Sequence, residues 1–224
     1  MIKTKIPTFK DKNLLVTALS HRSSLNEKKT KKTLGESNER LEFLGDAVLE
    51  LATTIFLFDR FPKEPEGTLT LYRSSLVKTS TLAEAALGLG LDKQMYLSKG
   101  EENGGGRKNE SLLADTMEAV VGAIYLDQGF DNAYSFLKQS LFAKFDDILK
   151  NKSYRDSKSM LQEFVQAKGL PTPTYRLINS VGPDHDKTFF INVLVGSKVI
   201  GQGKGNSKQE AQQEAARVAL EKIS

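Results

Sequence analysis

The chain of 224 residues contains no cysteine and only two histidines, His21 and His185, far apart in sequence. Without thiols there is no disulfide, no thiolate metal site and no cysteine nucleophile. Two distant imidazoles are too few for a typical zinc site, and a histidine-based triad is not expected. No run of apolar residues approaches membrane-spanning length, and the first ten residues (MIKTKIPTFK) lack the apolar centre of a signal peptide. The expectation is a cytoplasmic protein without a membrane partner. Any metal it holds would sit among oxygen ligands, which favours magnesium or manganese over zinc or copper.

Alternating strand patterns are also missing from the first 150 residues, and no internal repeat is evident. Apolar residues recur there at helical spacing, over 13–20, 39–58, 68–86, 110–126 and 131–149. Pro62, Pro65, the Gly88–Gly90 pair and the Gly104–Gly106 run separate these segments. The charged stretch Glu27–Lys32 reads as a solvated loop, with a phosphate-contacting loop as the alternative. After Asn151 the pattern changes. A helix is expected over Ser157–Lys168, strands over Thr174–Ser180, Thr188–Val195 and Lys198–Lys204, and a closing helix over Ser207–Ile223 with Ser207 as its cap. This order makes a small α+β unit, with the boundary at Asn151–Tyr154. Charge divides the same way: residues 151–224 hold 11 basic and 7 acidic side chains, whereas the first 150 hold 21 of each. The whole positive excess of +4 lies in the last third, which suits a polyanionic partner.

Two helical stretches, NERLEFLGDAVLE (38–50) and LLADTMEAVVGAIY (112–125), carry acids where a helix should bury itself. At 100° per residue, Glu39, Glu42 and Asp46 fall within roughly a 60° arc. Leu41, Leu44, Val48, Leu51 and Ile55 share the opposite side and are the expected core face. In the second stretch Asp115 and Glu118 are neighbours on one face, flanked by apolar residues that offer no cation. Carboxylates on helices ordinarily face solvent or pair with Lys and Arg. These two sets fit that description poorly, because burying an unpaired carboxylate is costly. A divalent cation held between the helices resolves the conflict. Oxygen-only clusters suit Mg²⁺, which keeps several waters and takes further ligands from phosphates.

NERLEFLGDAVL closely resembles the signature of the ribonuclease III family, LLADTMEAVVGAIYLDQG resembles its second acidic helix, and PEGTL (65–69) matches a third motif between them. The last third resembles a double-stranded-RNA-binding domain. The resemblance implies a multidomain chain, an all-α endonuclease domain (1–150) followed by an αβββα double-stranded-RNA-binding domain (154–224). It implies that Glu42, Asp46, Asp115 and Glu118 ligate the metal, Mg²⁺ with Mn²⁺ as a substitute, and that Asp46 and Glu118 are the most sensitive catalytically. Glu39 and Glu66 would lie by the cleft and influence the substrate, although an exposed ion pair accounts for each almost as well. Asn109 would orient hydrogen bonds at the site or cap a helix. In the family the aromatic at Phe43 inserts into a pocket of a second subunit, and a duplex with two antiparallel strands independently favours a two-fold homodimer.

For the second domain the resemblance places RNA contacts at Ser159 and Gln162, at His185 in the Gly182–Lys187 turn, and at Lys204, Ser207 and Lys208 near the last helix. Duplex RNA is read by shape, through 2′-hydroxyls and phosphates, and a helix N-terminus favours phosphate. Where the family commonly has a second consecutive basic residue, this chain has Gln209, so binding is expected to be modest and its salt dependence shallow. The expected activity is hydrolysis of double-stranded RNA, leaving 5′-phosphate and 3′-hydroxyl ends, on ribosomal RNA precursors and structured messengers, with no small-molecule cofactor. Two alternatives stay open: a duplex-RNA-binding regulator that has lost catalysis, and a helical metalloenzyme acting on a small phosphorylated substrate.

Overall fold

The structure, a computed structural model, describes residues 5–26, 35–150, 157–183 and 187–223. The stretch Glu27–Lys32, the expected boundary at Asn151–Tyr154 and His185 lie outside these residues. The chain divides into two units, Met1–Tyr154 and Arg155–Ser224.

The first unit is helical: α1 (Lys12–Ala18), α2 (Glu39–Arg60), α3 (Glu66–Val77), α4 (Thr79–Leu89), α5 (Lys99–Asn103), α6 (Glu110–Gln128), α7 (Phe130–Ser140) and α8 (Phe145–Lys150). Its centre is α6, in which Leu113, Met117, Ala119, Val120, Val121, Ala123 and Ile124 have no exposed surface. A helix apolar on nearly every side is stable only when surrounded, and α2, α4 and α7 pack around it. In its last turn, Asp127 accepts the backbone N–H groups of Lys10 and Asp11, each at 2.9 Å, and so ties the segment before α1 to the central helix.

Three expectations need correction. The periodic run 68–86 is two helices, broken at Lys78 (φ −64°, ψ 148°). On one straight helix Leu76 and Leu82 would point about 120° apart. The break lets both reach the core, at 0% and 1% exposure. The run 131–149 also divides, at Leu141 (φ −118°, ψ −54°), followed by a 3₁₀ turn over Phe142–Lys144. The turn seats Phe142 in a stack on Phe56 with centroids 4.5 Å apart, and Phe145 edge-on to Tyr72 at 5.4 Å. Finally, the core face of α2 is rotated from the expected side. Leu41, Gly45, Val48, Leu49, Ala52 and Leu57 are buried, whereas Leu51 is exposed and Leu44 and Ile55 are half-buried. This rotation carries Glu42 to the edge of the packed face. It also leaves Phe43, Leu51 and Phe58 as an exposed apolar stripe.

The second unit runs α9 (Ser157–Ala167), β1 (Thr174–Val181), β2 (Thr188–Val195), β3 (Lys198–Gly205) and α10 (Lys208–Ile223). The three strands form an antiparallel sheet in the order β1-β2-β3. Register sets Leu177 opposite Ile191 and Ile191 opposite Gly203, with Tyr175, Val193 and Gly201 aligned two residues along. Ile191, Val193 and the half-buried Tyr175 of that face meet Leu161 and Val165 of α9 and Ala211, Ala215 and Ala219 of α10, whereas Leu177 stays exposed. A Cβ on Gly203 would stand 2.2 Å from the Ala215 nitrogen. The alternating glycines of β3 and the alanines of α10 are therefore one device, a close sheet–helix contact that larger residues would prevent. Ser207 accepts the Glu210 N–H at 3.1 Å while the Glu210 carboxylate takes the Asn206 N–H at 2.7 Å, a variant of the reciprocal helix cap.

Candidate metal centre

The acids of α2 and α6 meet because two glycines let the backbones touch. A Cβ on Gly45 would lie 1.8 Å from the Glu118 carbonyl oxygen, and one on Gly122 would lie 2.3 Å from that of Leu41. Gly45 sits beside Asp46, and Gly122 lies one turn after Glu118. These residues were not singled out from the sequence, although a glycine within one turn of an acid on each helix was there to be noticed. The ends of both helices are held locally. Asn109 caps α6, its side-chain oxygen accepting from the Ser111 and Leu112 N–H groups at 2.9 and 3.3 Å, which is the capping role of its two readings. At α2 the Asn38 carbonyl receives the Glu42 N–H at 2.8 Å, and the Asn38 N–H donates to Ser20 at 2.8 Å.

Glu42, Asp115 and Glu118 offer carboxylate oxygens that all lie within 4.8 Å of one another, and all three are half-buried. Asp46 is exposed and stands outside this group, though its charge is felt at both Glu42 and Glu118. Among the described residues none of the four pairs with a lysine or arginine. Glu118 shows the consequence most clearly. Burial, followed by the charges of Asp46, Asp115, Glu42 and Glu50, pushes its carboxyl up to about 8. Burial and then the charges of Asp115, Glu39 and Asp46 raise Glu42 as well. Burial also raises Asp115, opposed by His21. That histidine, another residue without a site role in the sequence reading, keeps its Nδ1 2.8 Å from Ser23 Oγ. Such a cluster is electrostatically incomplete. It either holds protons or holds a cation, and an all-oxygen donor set of this size suits a hard divalent ion.

The remaining candidates are dispersed. Glu39 lies 3.6 Å from Arg22 and accepts from Ser37 Oγ at 2.8 Å, an exposed arrangement at the start of α2. Glu66 accepts from Thr70 Oγ1 at 3.0 Å in the first turn of α3. Phe43 is 82% exposed beside an open hollow of about 660 Å³ lined by Leu14, Thr17, Arg40, Leu44 and Leu126. In the second unit Ser159 and Gln162 are exposed on α9, and Lys204, Ser207 and Lys208 are exposed around the start of α10.

Comparison with known proteins places the chain in a family. Residues 11–145 match the family described as Ribonuclease-III-like, and residues 157–223 match the double-stranded RNA binding motif. The chain belongs to the ribonuclease III family. Ribonuclease 3 of Natranaerobius thermophilus is 42% identical over 226 residues, covering all of this chain and 95% of that protein. Ribonuclease 3 of Bdellovibrio bacteriovorus is 45% identical over 214 residues, covering 95% and 90%. Among solved structures, the nuclease domain of Campylobacter jejuni ribonuclease III is 42% identical with a TM-score of 0.56. It covers 62% of this chain and 92% of that domain, and it was described for flexibility in a region involved in dimer formation. The expected fold, a helical ribonuclease III domain followed by a double-stranded-RNA-binding domain, is thereby met, and the chain is an endoribonuclease of double-stranded RNA. Among the described residues no helix is long and apolar enough to cross a membrane.

Proposed function

We propose that this ribonuclease III hydrolyses duplex RNA with Mg²⁺, or Mn²⁺ in its place, held by Glu42, Asp46, Asp115 and Glu118. The observation that carries the reading is the convergence of Glu42, Asp115 and Glu118 within 4.8 Å, with no lysine or arginine among the described residues to neutralise them. Asp46, one turn beyond Glu42, completes the set from solvent. A bound Mg²⁺ supplies Lewis acidity, lowering the pKa of a water and offsetting charge on the phosphodiester. Glu42, Asp46, Asp115 and Glu118 would hold the ion beside the phosphodiester, where it would supply that activated water. As the water oxygen bonds to phosphorus it gives up a proton to solvent, the bond to the 3′ oxygen breaks, and the leaving oxygen takes a proton from solvent to become a 3′-hydroxyl opposite a 5′-phosphate. Glu39 and Glu66 flank the substrate path.

Residues 1–150 act as the nuclease unit and 154–224 as the RNA-holding unit. Ser159, Gln162 and His185 reach the minor groove, while Lys204, Ser207 and Lys208 meet phosphate. Two copies act together, each with Phe43 in the hollow beside the other's Phe43. The exposed stripe of Phe43, Leu51 and Phe58 supports this, since apolar area of that kind is costly to leave in water. Precursors of ribosomal RNA and structured messengers fit as cytoplasmic substrates.

The test is cleavage of a long RNA duplex with Mg²⁺, with Ca²⁺ and with chelator, by the wild type and by Glu118→Gln. Cutting only by the wild type with Mg²⁺, giving 5′-phosphate ends, supports the reading. Undiminished cutting by Glu118→Gln contradicts it.

A further inference from the structure

The acidic stripe of α2 does not stop at Asp46. Glu50 follows one turn on, about 6 Å farther along the axis and displaced by about 40° around it. It is a fifth carboxylate beside the proposed centre, and its charge is among those acting on Glu118. Unlike the other four it is neutralised. Arg73 of α3 reaches across to it, with Nε 3.1 Å from Glu50 Oε2. A second arm of the same guanidinium donates to Thr54 Oγ1 at 3.0 Å, and that hydroxyl in turn donates to the Glu50 carbonyl at 2.7 Å. The arginine is thus held at two points on one turn of α2. That distinguishes it from a freely moving surface cation, and a planar fork of this kind is something lysine reproduces only in charge.

We propose that Arg73 is a positioning residue for the metal centre: its ion pair withdraws Glu50 from the acidic stripe and so sets how strongly the remaining carboxylates attract a divalent cation. The inference rests on the metal reading above and adds the group that limits it. Half-exposed ion pairs contribute little to folding, so conformational stability is a poor explanation for the contact. A doubly charged ion one or two turns away feels each added or removed charge twice over, which makes cation affinity the sensitive quantity. An unpaired Glu50 would add a negative charge, and it would give the ion an alternative ligand farther from the other acids. Arg73 therefore favours one position for the ion over the strongest possible grip on it.

The experiment is calorimetric titration of the RNA-free protein with Mg²⁺ at low ionic strength, with melting temperatures recorded in parallel. Arg73→Gln is expected to bind Mg²⁺ roughly three- to tenfold more tightly than the wild type, the size set by one unit charge near a partly exposed divalent ion. Glu50→Gln, which leaves Arg73 unpaired, should bind more weakly by a similar factor. The double variant should return close to the wild-type affinity, and Arg73→Lys should stay near it because the charge is kept. Opposite signs for the two single variants are the signature, since loss of a structural staple would move both the same way. Weaker or unchanged binding by Arg73→Gln overturns the proposal. Glu118→Gln serves as the control: if it binds Mg²⁺ as well as the wild type, the metal centre itself is misplaced and both readings fall. If it binds poorly while Arg73→Gln fails to tighten, only the role of Arg73 is lost.

Discussion

The two units of this enzyme present opposite kinds of surface at their proposed sites. In the first, carboxylates from helices about 70 residues apart in sequence are pressed together and partly buried, so the site is repulsive until something cationic enters. In the second, lysines and small polar groups stand exposed around a helix start, and nothing need be added before a phosphate can dock. On the proposed reading, one surface does chemistry and resists its own assembly. The other, as proposed, holds the substrate at little conformational cost. Damage to the two should therefore separate cleanly into loss of turnover and loss of affinity.

The largest separation is expected from Glu118→Gln. It should lower cleavage at saturating RNA by about 10³-fold or more while leaving duplex binding by gel shift within about twofold, because a ligand to the proposed ion is lost and no RNA contact is touched. Gly45→Ala should come next. Its methyl group would lie 1.8 Å from the Glu118 carbonyl oxygen, so the helices must part. A cost of about 2–4 kcal/mol in chemical denaturation is expected, at or above the usual overpacking penalty, together with weaker Mg²⁺ binding. If Gly45→Ala kept full stability and full activity, the close approach of α2 and α6 would not be what assembles the site.

The contrast has a pH signature as well. The Glu118 carboxyl is raised from the ordinary 4.5 to about 8 in the folded, metal-free protein. Between those values the folded state binds the extra proton and the unfolded state does not, so metal-free stability should fall as pH rises through that window. Below about 4.5 the contribution is fully present, and Glu118→Gln should flatten the profile. Thermal melting in chelator across that range checks the sign. The smallest effect belongs to the second unit. Lys208→Ala should weaken duplex binding several-fold and reduce the slope of log affinity against log salt by about 1, leaving cleavage at saturating RNA unchanged.

How much of this was legible in the sequence differs between the units for the same physical reason. The strands, the small α+β order and the Ser207 cap depend on local pattern, and the structure follows them to within a residue or two. The helical unit was legible in kind but not in its breaks. Lys78 interrupts a periodic run because Leu76 and Leu82 must reach one core from directions a straight helix does not offer, and the break at Leu141 is set by where Phe142 and Phe145 meet the rings of Phe56 and Tyr72. That requirement is tertiary and leaves no local mark. The acids Glu42, Asp115 and Glu118 could be suspected from their placement against apolar flanks. Their separation could not, because it is decided by Gly45 and Gly122, whose importance appears only when two helices are brought together. The rotation of the α2 core face, which exposes Leu51, was hidden for a related reason. That helix has apolar residues on two sides, and periodicity alone does not say which side meets α6.

The most direct measurement is the number of protons released when Mg²⁺ binds, obtained by calorimetry near pH 7 in buffers of different ionisation enthalpy. Carboxyls crowded as these are should give up about one proton to the solution at that pH, progressively fewer toward pH 9, and almost none in Glu118→Gln. Binding without proton release, or release that persists in Glu118→Gln, would contradict a centre assembled from these acids.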